Sequence, residues 1–316
     1  MNFLFTASGR RVEIIEIFKK ELCNDRIFTA DIEKTAPALY IGRNSFLVPP
    51  LKDPQCLIKL ISICRKNEIN VIVPLIDPEL DFYSKHLNTF LKNNIKILIS
   101  RPDVISLGRY KYKTYHFLCE NNIPTAITYR HKTEIKNFPV IAKPIAGSSS
   151  KGILLINNSK QLNRVDNPAS YIYQRFIVGE EVTVDAISDK EGNLLASCQR
   201  KRLKIREGEV ERAVTIFDDK IEYYVKKILQ LLRPFGFINI QVIKDKKGAL
   251  FFTEINLRLG GGSPLTYKSG INIPQILKQL INGKYNIHVP VRAREGVYML
   301  RFDQAIYLEK EDLIYG

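Results

Sequence analysis

The first hundred residues alternate short apolar runs with amphipathic segments, and this alternation constrains the fold more than any other feature. The segment 12–22 has the spacing of a helix with one apolar side. Strands that alternate with such helices predict a parallel sheet that is covered on both faces. We therefore expect an α/β domain over residues 1–100. Its strand-like runs are 2–7, 26–32, 70–76 and 96–100.

Polar residues follow several of these predicted strands. Ligands of parallel sheets bind beyond the carboxyl ends of the strands. Arg10, Asp77 and Glu79 are therefore predicted to contact a small-molecule substrate, and Asp31 occupies an equivalent position. Helix capping and turn formation explain each of these residues equally well when it is taken alone.

The pattern changes after Pro124, where strand-like runs follow one another with only turns between them. This order predicts an antiparallel sheet, so the whole chain is expected to be α/β plus α+β. A helix is predicted from 109 to 122, and a strongly amphipathic one from 220 to 236. The predicted strands of this part are 138–144, 152–157, 170–176, 181–188, 194–203, 237–245 and 248–256.

A lysine and a loop of small residues form the first chemical motif. Lys143 ends a predicted strand, and small side chains in the loop would let backbone N–H groups approach phosphate oxygens. The loop is not a Walker A motif, because no GK[ST] precedes a helix. An ordinary hairpin connection explains it equally well. The loop residues predicted to bind phosphate are Gly147, Ser148, Ser149, Ser150 and Gly152.

The second motif is the crossing between two predicted strands. Gln174, Arg175, Phe176 and Ile177 end the first strand, and the next begins a few residues later. Backbone groups at such a crossing can pair with an adenine edge, while the Glu181 carboxylate can accept hydrogen bonds from ribose hydroxyls.

The third motif is the hairpin near residue 250. Strict alternation along the strand places Phe252, Glu254 and Asn256 on one face, and Gln241 on the paired strand can reach it. Carboxylate and amide oxygens are ligands that suit Mg²⁺. Arg258 shares the face if the strand continues, and a Glu254–Arg258 ion pair is the alternative explanation.

Composition excludes several other classes of protein. The net charge of +15 can indicate nucleic acid, an anionic substrate or a biased genome, and the basic residues form one dense patch at 199–206. No nucleic-acid-binding signature accompanies them, so nucleic acid is not the expected partner. Five cysteines without a CxxC pair argue against a zinc site. No apolar stretch is long enough for a membrane helix, and the N-terminus lacks signal-peptide features, so a cytoplasmic location is expected.

Taken in order, these motifs resemble those of the ATP-grasp superfamily. Lys111, in a helix that ends before Ile123-Pro124, resembles the family's first ATP-binding lysine, and Lys143 resembles the second. The small-residue loop, the hinge at 174–177 and the Glu254-x-Asn256-x-Arg258 motif follow in the family's order. The resemblance covers nearly the whole chain. It is nearest to the stand-alone ligases that are similar to the carbamoyl phosphate synthase large chain.

The resemblance implies a fold and a reaction. The fold is an ATP-grasp fold with an N-terminal Rossmann-like domain at 1–100, a linker helix and lid at 101–178, and a C-terminal subdomain at 179–316. The reaction is the ADP-forming coupling of a carboxylate to an amine through an acyl phosphate, with amino-acid-like substrates. ATP and Mg²⁺, or alternatively Mn²⁺, would be the cofactors, and a homodimer is possible.

The resemblance also assigns roles to residues. Gln241, Glu254 and Asn256 would bind the metal ion, and Arg258 would hold the acyl phosphate with help from Arg202 or Lys201. Gly260 and Gly261 would let the substrate approach the backbone. Gln174 and Gln241 depart from the usual acidic residues. Because of these departures, a non-catalytic nucleotide-binding module stays an alternative. A subunit of a carbamoyl-phosphate-like synthase is a second alternative.

Overall fold

The structure is a computed structural model that describes residues 1–41, 44–147, 152–206, 208–285 and 289–314. Its N-terminal part is a five-stranded parallel sheet in the order β3-β2-β1-β4-β5, as the alternating pattern predicts. The strands are β1 (Asn2–Thr6), β2 (Arg26–Asp31), β3 (Ser45–Leu47), β4 (Val71–Pro74) and β5 (Lys96–Ile97). The helices are α1 (Val12–Glu21), α2 (Gln55–Lys66) and α3 (Asp77–Lys92).

Two short helices lead into a four-stranded antiparallel sheet in the order β6-β9-β7-β8. The single helix predicted from 109 to 122 was wrong, because Tyr110 has extended backbone angles (φ −102°, ψ 104°) that end one helix and begin the next. Lys111 is therefore the first residue of a helix. The elements are α4 (Pro102–Arg109), α5 (Lys111–Glu120), β6 (Thr128–Tyr129), β7 (Val140–Pro144), β8 (Leu154–Ile156), α6 (Ser159–Leu162) and β9 (Tyr171–Arg175).

The C-terminal part is built on a seven-stranded sheet in the order β14-β13-β10-β11-β12-β16, with β15 parallel to β11. The strands are β10 (Gly179–Ser188), β11 (Leu194–Arg206), β12 (Glu209–Ile216), β13 (Gly236–Asp245), β14 (Leu250–Asn256), β15 (Val291–Arg292) and β16 (Tyr298–Leu300). The helices are α7 (Asp219–Leu232), α8 (Ser263–Lys268) and α9 (Ile273–Ile281). The three sheets follow one another along the chain, and the exact domain boundaries stay a prediction.

A β-bulge interrupts the pairing of β13 with β14. Gln241 pairs with Glu254 but Val242 pairs with Phe252, so Thr253 is the extra residue. The prediction that Phe252 shares a face with Glu254 was therefore wrong. Phe252 lies in the buried core beneath the sheet, at a ring-centroid distance of 5.6 Å from Tyr224 of α7. The bulge returns Glu254 to the opposite, open face.

Two buried clusters hold the parts of the chain together. Helix α7 begins at a cap in which Asp218 accepts from the backbone N–H groups of Lys220 and Ile221, and its apolar face covers the seven-stranded sheet. The second cluster joins Phe5 of β1 to Leu277 of α9. Within the described ranges, the structure contains no helix that is both long and apolar enough to span a membrane.

Two glycines in hairpins allow the effect of backbone strain to be distinguished from the effect of close packing. Both have positive φ, +88° at Gly192 and +80° at Gly248, but a Cβ on Gly192 would lie 2.3 Å from the Leu229 carbonyl oxygen, whereas one on Gly248 meets nothing within 4 Å. We expect Gly192→Ala to lower the free energy of unfolding by about 1–3 kcal/mol more than Gly248→Ala does. Urea denaturation of the two variants measures this difference, and equal losses would contradict the packing argument.

Candidate functional site

A cleft lies between the four-stranded sheet and the open face of the seven-stranded sheet. Its walls bring together Lys143 and Gln174 from the first sheet with Glu254 and Arg200 from the second. The N-terminal part contributes Arg11. The cleft therefore collects residues from all three parts of the chain, as ligand sites between sheets and subdomains commonly do.

Two lysines and a carboxylate meet at one end of the cleft. The Lys143 ammonium, on a side chain that is 10% exposed, lies 3.7 Å from the Glu254 carboxylate. Lys111 donates to the Gly147 carbonyl over 2.9 Å. Burial lowers the pKa of Lys111, and the nearby Glu254 opposes this shift. Predicted phosphate-binding and metal-binding residues are thus neighbours, and we refer to this region as the phosphate end.

The pleat of the seven-stranded sheet aligns the polar residues of the cleft. Glu254 on β14 lies opposite Gln241, Gln241 opposite Thr183, and Thr183 opposite Arg200 on β11. All four line the cleft. Because directly opposite residues share a face, they form one row across four strands. The row runs from the phosphate end to the guanidinium of Arg200.

The oxygen donors at the phosphate end suit a metal ion that shares its ligands with a phosphate group. Glu254 offers a carboxylate, and Gln241 and Asn256 offer amide oxygens. Across the described part of the chain, no group of three or more His, Cys, Asp or Glu could hold a metal ion on its own. Mg²⁺ typically takes one or two carboxylates and fills its octahedron with phosphate oxygens and water. This donor set fits that manner of binding.

The residues of the predicted hinge line the cleft. Gln174, Arg175, Phe176 and Ile177 all border it between β9 and β10. Gln174 is buried, and its side-chain amide donates to the Thr128 hydroxyl over 3.0 Å. This bond uses part of the amide's hydrogen-bonding capacity.

Glu181, the predicted ribose residue, also borders the cleft. Its carboxylate lies 3.1 Å from the Arg202 guanidinium. Arg202, predicted to help hold the acyl phosphate, therefore lies in the cleft on the same side as Glu181.

Arg258 links the cleft to the N-terminal sheet. It lines the cleft, and its guanidinium lies 2.5 Å from the Asp77 carboxylate at the first residue of α3. The alternative of a Glu254–Arg258 ion pair is not what the structure shows, because Glu254 faces Lys143 instead. Asp77 is thus close to the phosphate end, and it positions Arg258.

Glu79 is a capping residue. Its carboxylate accepts from the backbone N–H groups of Leu75 and Ile76 at 3.0 and 3.4 Å, at the start of α3. It is buried away from the cleft, so the predicted substrate contact was wrong and the capping explanation holds. Asp31 likewise accepts from the backbone N–H of Gly9 over 2.7 Å.

The remaining predicted residues differ in where they lie relative to the cleft. Lys201 is on the opposite face of β11 from Arg200, and it pairs with Glu180. Arg10 has an exposed side chain, whereas the adjacent Arg11 lines the cleft. Gly147 borders the cleft and Gly152 does not. The predicted loop residues Ser148, Ser149 and Ser150 lie outside the described residues.

The three consecutive glycines at 260–262 pack against guanidinium groups. A Cβ on Gly262 would lie 2.3 Å from Arg200 Nε, and one on Gly261 would lie 2.7 Å from Arg11 Nη1. Gly260 and Gly261 line the cleft. That they let a substrate approach the backbone stays a prediction, and the structure adds that arginine side chains pack against Gly261 and Gly262. Arg11 also pairs with Glu209 over 2.8 Å.

Sequence reasoning missed Arg11, Arg200 and Glu209. Burial raises the pKa of Glu209, but Arg11 and Arg301 outweigh this effect and leave the pKa below its usual range. The alternation of Arg200 and Arg202 along β11 was the one available signal for a second basic residue in the cleft. Arg11 and Glu209 pair across a long separation in the chain, whereas the carboxylate partner of Arg200 is Asp185 on the neighbouring strand β10.

Two regions of the chain match models of known protein families. Residues 3–98 match the family model of the PylC-like N-terminal domain, and residues 109–262 match that of the ATP-grasp domain. The carbamoyl phosphate synthase large chain of Clostridium acetobutylicum is 25% identical over 221 residues, or 61% of this chain. The matched region spans only 20% of that protein's length.

Solved structures share the fold. The biotin carboxylase domain of Hydrogenobacter thermophilus 2-oxoglutarate carboxylase, in complex with MgADP, ADP and bicarbonate, superposes with a TM-score of 0.73 at 18% identity. That alignment covers 94% of this chain and 73% of the other. An L-amino acid ligase from Bacillus licheniformis gives a TM-score of 0.69 at 18% identity, over 90% of this chain and 76% of the ligase.

The buried Glu79 makes stability depend on pH. Burial raises its pKa from an ordinary value of 4.5 to about 7. Between these pH values the folded state keeps a proton that the unfolded state has lost, so stability falls as pH rises. We expect Glu79→Gln to remove a decrease of roughly 1–3 kcal/mol between pH 4.5 and 7.

Urea denaturation at several pH values measures this dependence. Glu33→Gln, at an exposed carboxylate, is the control and keeps the wild-type profile. An unchanged slope in Glu79→Gln would show that Glu79 is ionised in the folded state.

Proposed function

We propose that this chain, which carries an ATP-grasp domain behind a PylC-like N-terminal domain, is an ADP-forming ligase that couples a carboxylate to an amine. The observation that carries the proposal is the meeting of Lys111, Lys143 and Glu254 at one end of the cleft. All three residues lie within the region that matches the ATP-grasp domain. The likeness of the fold to a biotin carboxylase domain that binds MgADP supports ATP and Mg²⁺ as the cofactors.

Nucleotide binding would use the whole length of the hinge and the phosphate end. The backbone of Gln174–Ile177 would pair with adenine, and Glu181 would accept from the ribose. Lys111 and Lys143 would neutralise the triphosphate, whose charge otherwise repels an anionic nucleophile. Glu254, with the amide oxygens of Asn256 and Gln241, would hold Mg²⁺, which when bound neutralises further phosphate charge.

The chemical steps follow from this placement. A substrate carboxylate oxygen attacks the γ-phosphorus, and ADP leaves with the electrons of the broken bond. The amine then attacks the carbonyl carbon of the acyl phosphate, loses a proton and releases inorganic phosphate. Most of the acceleration comes from positioning and electrostatic stabilisation.

Two arginines are suited to the acyl phosphate. Arg258 lines the cleft and is held by Asp77, which fixes its direction without filling all its donors. Arg202 also lines the cleft, beside Glu181. A preorganised guanidinium stabilises the phosphate charge and disfavours attack by water, because its hydrogen bonds take the place of solvent.

Amino acids are the proposed substrates. The cleft presents cations together with the Glu209 carboxylate, so it can contact both ends of a zwitterion. The shared fold with an L-amino acid ligase supports the same class. The likeness to a biotin carboxylase domain dimer supports a homodimer as the proposed assembly.

A second candidate is a bicarbonate-phosphorylating subunit of a larger synthase. The sequence match to a carbamoyl phosphate synthase large chain favours it, because the match spans one region of a much longer protein. ADP release that depends on bicarbonate and on no amino acid would select this candidate.

The ligase proposal predicts ADP and phosphate release that requires a particular pair of amino acids. Lys143→Ala should lower kcat/KM about 100-fold or more, because an electrostatic contact in the transition state is lost. Arg212→Met, at a side chain that is 54% exposed on β12, is the control and should behave as wild type. Undiminished turnover in Lys143→Ala would remove that lysine from the mechanism.

The metal assignment has a separate test that needs no substrate. Calorimetric titration should show tighter binding of ATP with Mg²⁺ than of ATP in EDTA. We expect Glu254→Gln to lose most of this difference, because one carboxylate ligand is replaced by an amide. If the advantage of Mg²⁺ persists at full size, Glu254 does not bind the metal ion.

A further inference from the structure

Arg200 is a buried charge whose hydrogen bonds are incomplete. Its side chain is 3% exposed, and one terminal nitrogen donates to Asp185 over 2.9 Å. Its Nε and Nη1 atoms have no hydrogen-bond partner within the described part of the chain. A buried donor without a partner costs about 1–3 kcal/mol, and more when it belongs to a charged group. Such a group at the wall of a cleft is suited to a ligand.

A polar network fixes the position of this guanidinium. The Asp185 carboxylate is fully buried, and besides Arg200 it accepts from the Asn239 amide and the Thr266 hydroxyl, each over 2.6 Å. These polar groups hold one terminal nitrogen of Arg200, while its buried Nε and Nη1 keep unused hydrogen-bonding capacity.

The backbone beside Arg200 is adapted to it. A Cβ on Gly262 would lie 2.3 Å from Arg200 Nε, and a Cβ on Gly260 would lie 3.7 Å from its Nη2. Since no side chain fits at position 262 without moving the guanidinium, glycine at that position keeps Arg200 in place.

Arg200 is also distant from the phosphate end. It is three strands away from Glu254 in the row that passes through Gln241 and Thr183. At a strand spacing of about 4.8 Å, the two Cα atoms are separated by about 14 Å. The metal ion and the triphosphate would use the Glu254 side of the row, which leaves Arg200 for another anion.

Neighbouring arginines already have carboxylate partners. Arg11 pairs with Glu209 over 2.8 Å, and Arg202 pairs with Glu181 over 3.1 Å. Arg200 also has a carboxylate partner, but two of its nitrogens stay unmatched among the described residues. Of these three arginines, Arg200 is therefore the one with buried hydrogen-bond donors left to bind an anion.

We propose that Arg200 binds a carboxylate of a substrate and so determines which substrates the chain accepts. This inference rests on the proposed ligase function. The carboxylate is either the one that reacts with ATP or a second one carried by the amine substrate. Arg200 contacts the substrate in both cases, and the experiment separates them.

The first measurement uses malonate as the probe. With the nucleotide site saturated by Mg²⁺ and a non-hydrolysable ATP analogue, malonate is titrated calorimetrically into wild type, Arg200→Met and Arg212→Met. We expect at least tenfold weaker malonate binding in Arg200→Met, with unchanged affinity for the nucleotide analogue. Arg212→Met should match wild type. Equal malonate binding by all three proteins, or none by wild type, would overturn the proposal.

Gly262→Ala provides a variant that keeps every charge. It should weaken malonate binding in the same direction, because its Cβ displaces the Arg200 guanidinium. It also keeps the test decisive if Arg200→Met fails to fold once Asp185 loses its partner. Wild-type malonate binding by folded Gly262→Ala would contradict the assigned position of the anion.

Kinetics then identify the source of the carboxylate. If the amine substrate supplies it, replacing that carboxylate by a carboxamide raises the KM for the amine in wild type but not in Arg200→Met, while kcat changes little. If the acyl donor supplies it, Arg200→Met raises the KM for the donor. Unchanged KM values for both substrates would refute the proposal. Malonate binding without ADP release on any pair would refute only the ligase function.

Discussion

One extra residue in β14 determines which way the side chains that are proposed to bind Mg²⁺ point. Without the bulge at Thr253, strict alternation would put Glu254 and Asn256 on the same face as the buried Phe252. A carboxylate there would be desolvated among apolar side chains, at a cost of several kcal/mol. The bulge lets Phe252 complete the core under α7 while Glu254 enters the cleft. Core packing and the polar row across four strands therefore depend on the same local irregularity.

Contacts between distant segments complete the cleft. Asp77 begins α3 just after β4 of the parallel sheet, and from there its carboxylate holds Arg258. Arg11 reaches Glu209 from the turn after β1. The N-terminal sheet thus positions arginines at the cleft, and buried clusters that join it to the seven-stranded sheet keep these distances fixed. The region that matches the PylC-like N-terminal domain therefore contributes directly to the geometry of the cleft.

Sequence patterns predicted the elements whose cause is local. Apolar periodicity predicted the parallel sheet and the hairpin of β13 and β14. The order of the motifs indicated Lys143 as a candidate ATP-binding residue. The capping role of Glu79 was one of the two explanations that the sequence left open, since its hydrogen bonds to Leu75 and Ile76 are local. The break at Tyr110 and the bulge at Thr253 escaped prediction, because both depend on tertiary packing. The Arg200 network was invisible for the same reason, since its partners come from β10, β13 and α8. Strand β12 and helix α9 were also missed.

If the carboxylate becomes an acyl phosphate, one of its oxygens is transferred to the phosphate that is released. The reacting substrate is labelled with ¹⁸O in its carboxylate, and the phosphate released during turnover is analysed by mass spectrometry. We expect each phosphate to carry one ¹⁸O atom, because the carboxylate oxygen that attacks the γ-phosphorus leaves with it. Unlabelled phosphate from a reaction that forms product would contradict the mechanism.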